Sequence, residues 1–242
     1  LARTLRRLGG RRSDRPGATE IIMAHLLSDR VSPPQASELY RQWQDRSLEM
    51  TLQILALHRP GRDWRPLIHL QGLDTLAAAL RRGRGAILWI SDFVYRPLIV
   101  PFALRQAGFP VAHLSRPEHG FSVSPFGVRY LNPLWTAVEN RFLAERVVIE
   151  NNDASAALTA LRERLAANEV VSITVAETGR RTFDAEFLDG RLRMATGPVH
   201  LARTSGAALL PIVAVREEDG AYTVSIEQAL DVDGSDEPPY ST

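Results

Sequence analysis

The sequence holds no cysteine, so disulfides and thiolate-bound metals are excluded. It holds no lysine either: all 29 of its cationic side chains are arginine. A GC-rich genome produces that bias. So does a preference for paired contacts to phosphate, which the planar guanidinium favours. No stretch approaches the ~18 consecutive apolar residues of a membrane span, and no secretory signal is visible. Aromatics are sparse at 7%, and the net charge is only +1. Nucleic-acid binding, which calls for a basic face, is therefore not indicated. No P-loop, GxGxxG, HExxH or metal-ligand cluster is written in the chain, so neither a cofactor nor a metal is expected.

What is present suits one α/β domain with a large core, at 242 residues and 45% apolar content. The densest signal runs from Gly83 to Pro117. A turn, Gly83-Arg84-Gly85, precedes the apolar run Ala86 to Ile90, which reads as a strand buried on both faces. Because this turn precedes its strand, it is not a nucleotide fingerprint. Ser91-Asp92 follow, then an amphipathic segment, Tyr95 to Gln106, closed by Gly108 as a helix stop. A second apolar run, Pro110 to Leu114, ends in Ser115-Arg116-Pro117. The spacing predicts a β-α-β unit with Asp92 and Arg116 at the carboxyl ends of its strands. Open α/β sheets hold their ligands at that edge.

The stretch resembles the lipid A late acyltransferases, the lauroyl/myristoyl acyltransferase family. These belong to the wider group of lysophospholipid and glycerol-phosphate acyltransferases. Members have a GRG-like turn, a buried strand, and then His-x4-Asp/Glu opening a helix. In the family the His is the base and the acid orients it. Laid on this sequence, the His falls on Asp92 and the acid on Pro97. A second block matches a Phe-rich turn, a Gly-Arg pair and a Thr-Gly-Pro helix start: here Phe187, Gly190-Arg191 and Thr196-Gly197-Pro198. Ala208 to Val215, with Pro211, matches a late strand. These blocks keep the family order across roughly residues 65–230.

The resemblance implies an α/β fold with a central mixed sheet flanked by helices, glycerol-phosphate-acyltransferase-like. It implies a bacterial, membrane-associated transferase of the lipid A biosynthesis type. Such a protein moves a fatty acyl group from an acyl carrier protein or CoA thioester to a lipid or small-molecule acceptor. The membrane surface is its partner, and its place is cytoplasmic, peripheral at the inner face of the cell membrane. The change at both family positions leaves a second reading open: a catalytically inactive relative that binds lipid or acyl carrier as scaffold or partner. The chain opens on Leu1 and stops at Ser241-Thr242 without an evident terminal element. It reads as truncated at its C-terminus, with the family's anchor and last amphipathic helix outside it.

Three regions are expected: a basic tail over 1–17, an N-terminal helical segment over 18–62, and an acyltransferase-like α/β domain over 63–242. The tail carries Arg3, Arg6, Arg7, Arg11, Arg12 and Arg15 against one acid, Asp14. It is either a solvated tail or a basic arm on anionic headgroups, at about 1 kcal/mol per Arg. Ser32-Pro33-Pro34-Gln35 predicts a capped helix start, continuing to about His58. Residues 118–133 read as a long loop, and such loops are usually functional. Helices are predicted over Trp135 to Glu145 and Ala154 to Ala167. Strands are predicted over Val170 to Val175 and over Tyr222 to Gln228, the latter in a hairpin with Ala208 to Val215.

Acyl transfer to a hydroxyl needs a base and donors for the oxyanion. Asp92 is a candidate, although a free carboxylate near pKa 4 must be raised to serve. Among the histidines, His119 on the polar loop is the candidate, ahead of His113, which reads as a packed core residue, and His200. Arg116, Arg181 and Arg191, with Thr196 and Gly197, are the candidate substrate-binding residues, because arginines pair with the phosphate of carriers and lipids. Arg180 and Glu177 sit in the same loop.

Overall fold

The computed structural model describes residues 18–59, 61, 64–91, 96–150, 153–175, 179 and 181–232. Two helices come first, α1 (Ala18–Leu26) and α2 (Pro33–Leu57). The α2 start forms as its sequence directs. Gln35 Oε1 accepts from both the Ser32 N–H and its hydroxyl at 2.8 Å, and the two prolines occupy a turn whose amides have no helical partner.

The strands are β1 (Ile68–Gln71), β2 (Ala86–Ile90), β3 (Val111–Ser115), β4 (Glu145–Val148), β5 (Val170–Thr174), β6 (Thr182–Phe187), β7 (Gly190–Ala195), β8 (Ala208–Arg216) and β9 (Tyr222–Ile226). Among the described residues, seven of them form one mixed sheet in the order β1-β9-β8-β2-β5-β3-β4. All neighbours run parallel except β8 and β9, which form the expected antiparallel pair. Ile90, Ser115, Val148 and Thr174 therefore end at one edge. The flanking helices are α3 (Leu73–Arg81), α4 (Arg96–Gln106), α5 (Asn132–Glu139), α6 (Ser155–Ala166) and α7 (Gly197–Ser205).

The alternation of side chains along a strand splits the core in two. Leu88, Ile90, Leu210 and Ile212 face Ile99, Val100 and Leu104 of α4. Ile87, Val171 and Leu209 face Leu161 and Leu165 of α6 and Leu201 of α7. A third cluster joins Ile54 and Leu57 of α2 to Leu98 of α4 and Trp135 and Val138 of α5. The α4 segment thus departs from the amphipathic expectation. Leu98, Ile99, Val100, Phe102, Ala103 and Leu104 are all buried, because one side of the helix meets the sheet and the other meets α2 and α5.

Two further expectations need correction. The stretch 118–133 is loop only in its first part: Gly127–Leu131 is a turn of π-helix running straight into α5. Pro133, which has no N–H to donate, stands where the π turn gives way to α5. The segment after β5 also does more than turn: β6 and β7 pair as a separate two-stranded hairpin from Thr182↔Ala195 to Phe187↔Gly190.

The turn before β2 depends on Gly85. Its φ is +68°, its N–H donates to Asn168 Oδ1 at 2.9 Å, and a Cβ there would lie 2.7 Å from the Glu169 carbonyl oxygen. Gly85→Ala is expected to destabilise the protein by about 1–3 kcal/mol, from the left-handed backbone and the crowding. Urea denaturation measures it.

Candidate functional site

The carboxyl edge of β3 continues into the loop that carries His119. The loop is tied down rather than loose. His119 N–H donates to the Arg116 carbonyl at 3.1 Å. Asn132, buried at the start of α5, donates to the carbonyls of Glu118 (3.1 Å) and Ser122 (2.9 Å) and accepts from the Ser122 N–H (3.0 Å). Gly120 lets the loop pass close to Asn132, whose side chain would lie 2.6 Å from a Cβ at that position.

His119 Nε2 meets both carboxylate oxygens of Glu139, at 2.8 and 2.9 Å. The Glu139 side chain is only 3% exposed, and α5 holds it there through the stripe it shares with Trp135 and Val138. Trp135 Nε1–H, one turn back, donates to Glu139 Oε1 at 2.6 Å. Arg146 on β4 pairs through Nη2 with Oε2. It also donates through Nη1 to Ser115 Oγ and through Nε to Asn140 Oδ1, at 2.9 and 2.8 Å. Four polar residues are buried among the described ones: Ser115, Asn132, Glu139 and Ser172. Two belong to this network, Asn132 braces its loop, and Ser172 lies on the wall of the cavity beside it.

Burial alone would push the Glu139 carboxyl up. His119, by hydrogen bond and charge, then Arg146 and the Trp135 N–H outweigh burial and hold it below the usual carboxylate range. Glu139 is therefore an anion at neutral pH. Its contribution to stability is complete above the unfolded value of about 4.5 and is lost as pH falls through its lower folded value. Glu139→Gln is expected to flatten the acid limb of a stability-versus-pH curve, which urea midpoints between about pH 6 and 3 would register.

Beside the pair is a cavity of about 20 Å³, room for roughly one water. Its apolar wall includes Ile90 from the end of β2, Pro97, Val100, Pro101 and Leu104 from α4, and Leu143. Its polar wall is His119, Glu139, His113 and Ser172. His113 Nδ1 and Ser172 Oγ lie 2.8 Å apart on neighbouring strands, in keeping with a packed histidine. A histidine with an orienting carboxylate, at the carboxyl edge of a mixed α/β sheet and against an apolar wall, is equipped for proton transfer at a partly desolvated centre.

Over residues 41–239 the chain matches the family model of bacterial lipid A biosynthesis acyltransferases. The chain belongs to that family. The match begins inside α2 and takes in the whole seven-stranded sheet, the hairpin and the His119–Glu139 site. No curated protein matches the chain.

For this acyltransferase-family chain, the candidate residues fall as follows. Asp92 lies outside the described residues, as do Glu177 and Arg180. Arg116 directly follows β3, and Arg181 directly precedes β6, in the segment after β5. The two arginines thus lie in segments that follow neighbouring strands. Arg191 does not join them. It is paired with Glu186 near the tip of the hairpin, about 17 Å of strand from Thr196. Thr196 stands at the start of α7 but does not cap it: its backbone is α-like (φ −81°, ψ −2°). Its N–H and hydroxyl both donate to the Arg181 carbonyl, at 3.1 and 3.3 Å, so it fastens the base of the hairpin. Gly197 is exposed, with open space where a Cβ would stand. His200 is exposed on α7. No helix among the described residues is long and apolar enough to cross a membrane.

Glu139, Trp135, Arg146 and Ser115 carry the site and were not singled out by the sequence. The available signal was a glutamate within the apolar stripe of a helix, four residues beyond a tryptophan. That pattern alone does not distinguish a buried acid from a surface one.

Proposed function

We propose that this family member moves a fatty acyl group from an acyl carrier protein or CoA thioester to a lipid or small acceptor at a membrane surface, with His119 as general base. The observation that supports this most is His119 itself: a hydrogen-bonded imidazole, 23% exposed, at the carboxyl edge of the family sheet. Nε2 is engaged by a carboxylate, which only accepts, so Nε2 carries the proton and Nδ1 holds the lone pair. Among the described residues, Nδ1 has no hydrogen-bond partner. Nδ1 takes the proton of the acceptor hydroxyl or amine as that group attacks the thioester carbonyl. The tetrahedral intermediate collapses with cleavage of the carbon–sulfur bond, and the imidazolium returns the proton to the departing thiolate. Asp92 serves in this scheme by orienting the acceptor rather than deprotonating it. Arg116 and Arg181 suit the phosphate of carrier or lipid.

A membrane surface as partner is supported by the six arginines of residues 1–16. They lead directly into α1, whose Ile21 and Ile22 are exposed. The hairpin tip, with exposed Phe187 and Leu188, is fastened to that helix: Asp189 N–H donates to the Leu26 carbonyl at 3.3 Å, and Asp29 N–H to Asp189 Oδ2 at 3.0 Å. Exposed apolar side chains that follow a run of cations in the sequence suit an anionic lipid surface.

The second reading, an inactive relative that binds lipid or carrier, is favoured by Asp92 and Pro97 standing where the resemblance places the family's dyad. Thiol release from a panel of carrier-protein and CoA thioesters, with and without membrane lipid, tests the two. Release that depends on added lipid supports transfer. Activity that appears only in an Asp92→His, Pro97→Glu variant supports the inactive relative.

A further inference from the structure

We propose that Glu139 is the positioning residue of the site. Its carboxylate, clamped by Trp135 and Arg146, fixes His119 in the tautomer and ring orientation that leave Nδ1 open. This rests on the reading of His119 as base and names the group that makes it one.

The geometry is more specific than a charge pair requires. Each carboxylate oxygen has two donors: Oε1 takes Trp135 and His119, and Oε2 takes Arg146 and His119. The donors come from three different elements, so neither oxygen can swing away without leaving buried donors unpaired. Arg146 is fixed in turn by Ser115 and Asn140. The indole of Trp135 also stands edge-on to the imidazole, with centroids 6.0 Å apart, and Phe121 packs on the indole at 4.9 Å. A buried, fully clamped carboxylate that meets one nitrogen of a partly exposed histidine sets which nitrogen is free.

Nitrogen-15 NMR of the full wild-type chain tests this directly. Protonated and bare ring nitrogens differ widely in shift, and His119 is assigned as the signal lost in His119→Gln. Above the pH at which the ring is neutral, the expected pattern is protonated Nε2 with bare Nδ1. A protonated Nδ1, or an average of both tautomers, would overturn the proposal. In steady-state transfer, Glu139→Gln is expected to lower kcat on the order of 10²-fold or more, with the acceptor KM close to wild type. Glu139→Asp should recover part of the rate. Unchanged kcat in a folded Glu139→Gln would contradict the positioning role. If the wild-type chain turns over no donor, the reading of His119 as base fails, while the NMR pattern still decides whether Glu139 sets the tautomer.

Discussion

His119→Gln is expected to lower kcat by ~10²–10⁴-fold, the range by which a placed general base accelerates transfer. Donor binding should persist, because nothing in the scheme assigns the thioester's recognition to the imidazole. The loss should appear in kcat and kcat/KM together, the mark of an interaction made in the transition state. The fold should survive: with the imidazole gone, Glu139 keeps Arg146 and Trp135 as partners. Asp92→Ala is expected to have a smaller effect, since an aspartate orienting the acceptor leaves the proton transfer intact. Steady-state rates with matched melting curves read both variants.

Arg146→Met is expected to cost about 3–5 kcal/mol, because removing one partner of a buried ion pair strands the other. Its side chain is 8% exposed and that of Glu139 3%, so water screens neither. The methionine also abandons Ser115 Oγ and Asn140 Oδ1. The loss should appear as a lower urea midpoint at constant slope. Combining it with Glu139→Gln should recover part of the loss, because the stranded charge is then absent, and the double-mutant cycle measures the coupling. Full additivity would mean that the two side chains do not act as a pair.

The fold was largely legible because its signals are local. The run Ala86–Ile90 forms β2 with the residues read from its apolar continuity. Ser32 and Gln35 start α2, and Tyr222 returns beside β8 as its alternation suggests. Errors arose where tertiary contacts outweighed local pattern. The α4 helix is buried on two faces from Leu98 to Leu104, which its sequence alone cannot announce. The π turn at Gly127–Leu131 lies within a stretch whose Gly, Ser and Pro content reads as loop. Thr196 sits at a cap position and spends its hydroxyl on the hairpin instead.

The candidate site was half legible. His119 stood out as a histidine on a polar loop beyond a carboxyl-edge strand. Its partner is 20 residues away on another element, and Arg146 comes from a third. Spacing rules find pairs on one helix or one turn. They cannot find a carboxylate that becomes a neighbour only because α5, packed on α2 and α4, brings it beside the His119 loop and the β4 arginine.

The measurement that tests the account most directly is transfer of a labelled acyl group. Carrier-protein and CoA thioesters bearing a labelled chain would be incubated with the full chain and membrane lipid vesicles, and label would be followed into the lipid fraction. The account expects label to move with the wild-type chain and to stay on the donor with His119→Gln. Equal transfer by His119→Gln, or donor and lipid bound by the wild-type chain with no transfer, would contradict it.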